Sequence, residues 1–166
     1  VSVAITITMS LKTTSTPAIP ASMAEYASQP DKYYVKHGVS EHEYKMQTYV
    51  RNLNIVRVPE VSAYCHETKF MAMPRVGPMS VSDMYGESAE DLPKEVFDSI
   101  VDIVQLLVAN DIEFPDLTGY NFVEDLSSPG KVWIIDFEHA TLNDNITDEA
   151  ILALVNGERK WNPKFA

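Results

Sequence analysis

Asp116, Asn121 and Asp136 are the residues of this chain whose types and spacing suggest chemistry. They lie in "IEFPDLTGYNFVEDLSSPGKVWIIDFEHA", residues 112–140, where an acid, an amide and a second acid flank two short apolar runs. If the runs pair as antiparallel strands about the SSPG turn, Asn121 and Asp136 meet at one rim. An amide oxygen beside a carboxylate is a hard-ligand pair suited to Mg²⁺, which keeps waters and completes its shell with phosphate oxygens. Asp116, five residues ahead of Asn121, reaches the same rim from its loop and can take a proton from a hydroxyl. A base, a metal pair and a cation for the phosphates are what phosphoryl transfer requires. Lys36 is the cation candidate, with Glu43 on the next helix as its ion-pair partner. Each residue also has a plainer reading. Asp116 and Asn121 suit turns, and Asp136 can simply end a strand. Glu43 can serve a capping box with Ser40, and Lys36 can be a solvated strand-end side chain.

The elements that must position these groups are visible in the pattern. Val1, Val3, Ile5 and Ile7 alternate with polar or small residues, the period of a strand. "KTTSTPAIPAS" (12–22) reads as a loop, and "KYYVKHG" (32–38) as a second strand. Ser40 opens a helix with Met46, Tyr49, Val50 and Leu53 at helical spacing. "VPEVSAYCHETKFMAMPRV" predicts two strands about "CHETK", ending near Pro74. After a connector with one helical turn, a helix runs from Pro93 to Ala109 with the stripe Val96, Ile100, Ile103, Val104, Leu107 and Val108. A short strand at Phe122–Val123, the strand "KVWII", a helix over 147–156 and the tail "KWNPKFA" complete the chain. This order predicts an α+β protein of two unequal lobes, about 1–73 and 81–166, with a hinge at 74–80.

Composition bounds the partners. Net charge is −11, with 45% hydrophobic and 22% charged residues, a globular balance. An acidic surface argues against nucleic acid or an anionic membrane as the main partner. No apolar run approaches a membrane span, and "VSVAITITMS" makes a poor signal peptide without a basic n-region. Cys65 is the single cysteine, so no intrachain disulfide forms; a cytoplasmic location fits, and a secreted one is compatible too.

Together "DLTGYN" and "WIIDFEHA" resemble the catalytic and metal-binding loops of the protein-kinase-like superfamily. The likeness is nearest to the aminoglycoside/choline-kinase-type phosphotransferases and the small kinase-like proteins of fungi. "YYVKHG", "SEHEYKMQTYV" and "VPEVSAY" resemble that superfamily's strand-lysine, helix-glutamate and following strand, and "FMAMPRVGPMSVSDM" its hinge. The likeness spans about residues 32 to 140. It implies a two-lobed kinase-like fold: a small antiparallel sheet with one helix, and a shortened helical lobe. It implies Asp116 as catalytic base, Asn121 and Asp136 on Mg²⁺, Lys36 on the ATP phosphates and Glu43 as its partner. The backbone of Met73, Pro74, Arg75 and Val76 would meet the adenine.

The departures are specific. No glycine precedes Gly38, so "IPASMAEY" stands where a Gly-rich phosphate loop is expected, with Ala21 and Ala24 in place of glycine. The family's His-x-Asp reads Phe114-Pro115-Asp116, and its Asp-Phe-Gly reads Asp136-Phe137-Glu138. Thirty residues follow Asp136, which implies a minimal domain of this kind. A transition-metal cluster of Asp136, Glu138 and His139 is disfavoured, because period two turns His139 away from the acids. Cys65 and His66, adjacent on a strand, point to opposite faces and form no dyad. The methionines near the hinge read as packing, and Trp133 as core. Two functions stand: phosphoryl transfer from ATP·Mg²⁺ to a hydroxyl of a small molecule or protein, or a pseudokinase that binds a partner protein.

Overall fold

Pro20 leads into a 3₁₀ turn (Ala21–Met23) and a short helix, α1 (Ala24–Ala27), in the computed structural model, which describes residues 17–166. The strand expected over 1–7 lies outside the described residues. The loop expected over 12–22 gives way to helix at its end because Met23 is buried against Phe70 and Ala72. Burying such a side chain contributes about 1.5–3 kcal/mol, enough to hold a single turn in place.

β1 (Tyr33–His37) stops at Gly38, whose φ of 74° a side chain would resist. Ser40 then caps α2 (Glu41–Leu53), its Oγ accepting the Glu43 N–H at 3.0 Å. β2 (Ala63–Cys65) and β3 (Phe70–Pro74) pair antiparallel, and β3 is the central strand of a sheet ordered β1-β3-β2. Tyr34 lies opposite Met73 and Lys36 opposite Met71, so these four share one face. Tyr44 of α2 packs on that face, and Gln47 donates to the Met73 sulfur at 3.7 Å. Met23 and Tyr26 cover the opposite face at Val35, Phe70 and Ala72. Covered on both sides, β3 is buried at Phe70, Met71, Ala72 and Met73, and its sequence therefore does not alternate.

The second part of the chain builds the main core. α3 (Val81–Tyr85) is the single turn expected in the connector, capped by Ser80. α4 (Lys94–Ala109) follows Pro93 and buries Val96, Phe97, Ile100, Ile103, Val104 and Leu107, the expected stripe with Phe97 in place of the half-buried Val108. β4 (Ile112–Glu113) precedes the loop with Asp116; β5 (Phe122–Glu124) and β6 (Val132–Ile134) form the expected hairpin. Trp133, expected in the core, is only half-buried, with the Arg57 guanidinium 5.9 Å from its ring. β7 (Thr141–Leu142) pairs with β4, a two-residue ribbon too short to leave a periodic signal. α5 (Glu149–Val155) starts two residues later than expected, where the Asp148 carboxylate accepts the N–H groups of Ala150 and Ile151. Met46 and Val50 of α2 reach this core, so the helix joins it to the sheet. Among the described residues the protein is therefore α+β, with small antiparallel sheets and five α-helices.

Candidate functional site

The β5–β6 hairpin does what its pattern requires. Its ladder extends by one bond, Ile135 N–H to the Asn121 carbonyl at 3.0 Å, so Asn121 and Asp136 emerge at the same end. Asp136 leaves the strand with φ at 65°, in the left-handed region that Asp and Asn tolerate better than most residues. Strained backbone of this kind gathers at functional sites.

Lys36 meets Asp136 across the gap between sheet and hairpin. Its Nζ lies 2.6 Å from Glu43 Oε1 and 3.0 Å from Asp136 Oδ1. Ser40 takes the Glu43 backbone N–H, while the Glu43 side chain turns to Lys36 rather than back to Ser40. The capping box is thus half made, and the ion pair has claimed the carboxylate. Lys36 is thus the ion-pair partner of the buried Asp136 Oδ1. Burial works against the Lys36 ammonium, yet the Glu43 hydrogen bond and the Asp136 charge outweigh it and hold Lys36 above its usual range. Burial pushes the Glu43 carboxyl up, and Lys36 offsets this only in part. These two shifts pull the pair in opposite directions. The 2.6 Å contact favours the ionised pair, since a neutral Glu43 would leave the ammonium to Asp136 alone.

Lys36, Asn121 and Asp136 line a cleft of about 370 Å³ together with Met73, Pro74, Arg75 and Val76. Val123 and Ile135 add apolar wall. The Arg75 N–H is bonded to Lys32 O at 2.8 Å, and its guanidinium lies 5.6 Å from the Tyr34 ring centroid. Val76 N–H has no acceptor among the described residues. Gly77 permits the wall to close: a Cβ there would lie 2.5 Å from Val123 Cγ1 and 2.8 Å from the Glu124 carbonyl oxygen.

Asp116 stands beside this cleft rather than in its wall. Asn121 Nδ2 donates to the Asp116 carbonyl oxygen at 2.9 Å, which fixes the amide and leaves its oxygen for another partner. Burial raises the Asp116 carboxyl above its ordinary value; hydrogen bonding from Asn121 opposes this, and the Asp136 charge adds to it. A carboxylate so raised is a better proton acceptor than a solvated one.

One expectation fails on placement. Ala21 and Ala24 belong to the helical segment against the sheet, and neither lines the cleft. His139 packs 5.0 Å from the Phe165 ring, and among the described residues no three His, Cys, Asp or Glu side chains converge as a metal cluster. The cleft residues that the sequence did not point to include Tyr34, Asp83 and Tyr120. Tyr34 was legible, since it lies two residues before Lys36 on a strand. Asp83 also left a signal, the "SVSD" pattern, whose Ser80 Oγ accepts the Asp83 N–H at 3.1 Å and donates to its carboxylate at 2.7 Å. A larger groove of about 600 Å³ runs beside Asp148 and Trp161, but none of the candidate residues lines it.

No protein-family model matches the chain, and no curated protein matches it.

Proposed function

We propose that this chain is an ATP·Mg²⁺-dependent phosphotransferase of minimal, two-lobed kinase-like architecture, acting on a hydroxyl. The observation that carries the reading is Lys36, held between Glu43 at 2.6 Å and Asp136 at 3.0 Å at a cleft that Asn121 also lines. A lysine so restrained is poised for phosphate oxygens. Asn121 and Asp136 fit Mg²⁺: the donor set is one amide and one carboxylate oxygen, and both residues line the same cleft. Bound there, the ion supplies positive charge to the phosphate oxygens. The end of β3, with Val123 and Ile135, offers the adenine an apolar wall, and the backbone of Met73 to Val76 runs along it. Asp116 takes the acceptor's proton as the acceptor oxygen bonds to the terminal phosphorus and the bond to the nucleoside diphosphate breaks.

A second reading, a pseudokinase that binds a partner protein, draws on one observation. The Pro20–Ala27 segment lies against the sheet and contributes no backbone to the cleft. Thermal unfolding with ATP, with Mg²⁺, with both, and in Asp136→Asn separates the two readings. Ligand at a hundred times its dissociation constant stabilises by about 2.7 kcal/mol, or roughly 5–11 °C for a chain of this size. The expected shift needs ATP and Mg²⁺ together and vanishes in Asp136→Asn. No shift under any condition overturns the phosphotransferase reading and favours the partner-binding one.

A further inference from the structure

Asp116 belongs to no helix or strand; the loop that carries it is a pair of tight turns. Leu117 N–H donates to Pro115 O at 2.8 Å, and Thr118 N–H to Asp116 O at 3.1 Å. Asn121 fastens this loop from the side of the cleft, through the Asp116 carbonyl. Behind it lies Asn162, only 1% exposed. The Asn162 Nδ2 donates to Pro115 O at 2.7 Å, and its backbone N–H to Leu117 O at 2.9 Å. Those are the carbonyls immediately before and after Asp116. Asn162 is itself pinned, its Oδ1 accepting the Lys164 N–H at 3.1 Å and its carbonyl the N–H groups of Phe165 and Ala166 at 3.0 Å.

Its neighbours extend the grip. Trp161 stacks on Phe122, centroids 6.2 Å apart and planes 13° from parallel, directly after Asn121 in the chain. Phe165 packs on His139, three residues past Asp136. The terminal stretch therefore touches each of the three segments that bear Asp116, Asn121 and Asp136, yet none of its residues lines the cleft.

We infer that Asn162 is a positioning residue that holds the Asp116 loop from behind. Its catalytic consequence rests on the phosphotransferase reading; the grip itself does not. An apolar residue would fill this space and keep the backbone bond to Leu117 O, but would lose the side-chain bond that fixes the Pro115 carbonyl. Two hydrogen bonds on carbonyls flanking one residue set that residue's orientation, and displacement of a reacting group by about 1 Å can cost roughly a hundredfold in rate. Lys36, Asn121 and Asp136 do not bond to Asn162, so its loss leaves the nucleotide contacts in place.

The test compares the wild-type chain with Asn162→Ala and Asn162→Asp. Asp keeps an acceptor for the Lys164 N–H but loses the donor to Pro115. The readouts are amide hydrogen exchange without nucleotide, Mg·ATP affinity, and kcat for ATP turnover at a temperature where each variant is folded. In both variants the Leu117 and Thr118 amides are expected to exchange faster while those of α4 do not change. kcat is expected to fall by roughly tenfold or more with Mg·ATP affinity held within about twofold. Unchanged exchange at Leu117 and Thr118 overturns the inference, as does an Asn162→Asp variant that matches wild type. Parallel loss of affinity and kcat, with faster exchange throughout α4, marks a general structural role and also overturns it. If Asn162→Ala does not fold, Asn162→Asp carries the comparison. If wild type neither binds nor turns over Mg·ATP, the phosphotransferase reading falls by itself, and the exchange rates still decide the grip.

Discussion

Replacing Lys36 by Met removes the cation between two carboxylates while keeping the length of the side chain. Glu43 is left with its side chain 2% exposed and no opposite charge in contact; Asp136, at 32%, keeps some solvent. Removing one partner of a buried pair costs about 3–5 kcal/mol, and the partial exposure here argues for about 3. At about 2–4 °C per kcal/mol, Tm should fall by roughly 6–12 °C at pH 7. The sign of the pH dependence follows from Glu43. Its folded pKa is raised above the unfolded value of 4.5, so the ionised form is disfavoured by folding. That penalty is absent below the unfolded pKa and complete above the folded one. In Lys36→Met the two influences that lower Glu43 are gone, while the Asp136 and Glu138 charges that raise it remain. The penalty therefore grows, and the gap between variant and wild type should be wide at pH 7 and should narrow toward about pH 4. Thermal unfolding followed by circular dichroism at both pH values checks this. A gap of the same size at both, or no gap at pH 7, would refute the ion-pair account of this site.

Asp116→Asn should abolish phosphoryl transfer without lowering Tm at pH 7. Because burial raises this carboxyl, its ionised form opposes folding above the folded pKa, and the amide removes that penalty; any gain in Tm should disappear below the unfolded value of 3.8. A marked loss of Tm at pH 7 would show Asp116 to be a structural acceptor. Gly77→Ala should cost about 1–3 kcal/mol, since its methyl meets Val123 at 2.5 Å and the Glu124 carbonyl oxygen at 2.8 Å. Unfolding in urea would measure it, and a change below about 0.5 kcal/mol would mean that the wall yields freely.

Much of the scaffold was legible because its signals are local. Ser40 marks the start of α2, the α4 stripe repeats at helical spacing, and SSPG joins strands whose ends deliver Asn121 and Asp136 to one rim. What escaped depends on distant partners. The stretch 12–22 looks like loop to its end because its Ser, Thr and Pro content says nothing of the sheet that Met23 finds. The β4–β7 ribbon is two residues long on each side and leaves no period to read. Glu43 admitted two local readings, and only the position of Lys36 on the neighbouring strand decided between them. Asn162 carries no motif at all. Its importance comes from the two carbonyls that the fold sets against it.

The left-handed backbone at Asp136 restricts what any survey of substitutions can report there. A β-branched residue is the most strained there, and side chains in general carry a cost of about 1–2 kcal/mol in that region before their chemistry is tested, although Lys69 adopts it elsewhere in the chain with φ at 57°. Glycine would suit the backbone but free it, and alanine would lose the carboxylate and strain the turn together. Asparagine alone keeps shape and backbone tolerance while removing the charge, so an uninformed scan would record position 136 as intolerant without learning whether charge or geometry was the reason.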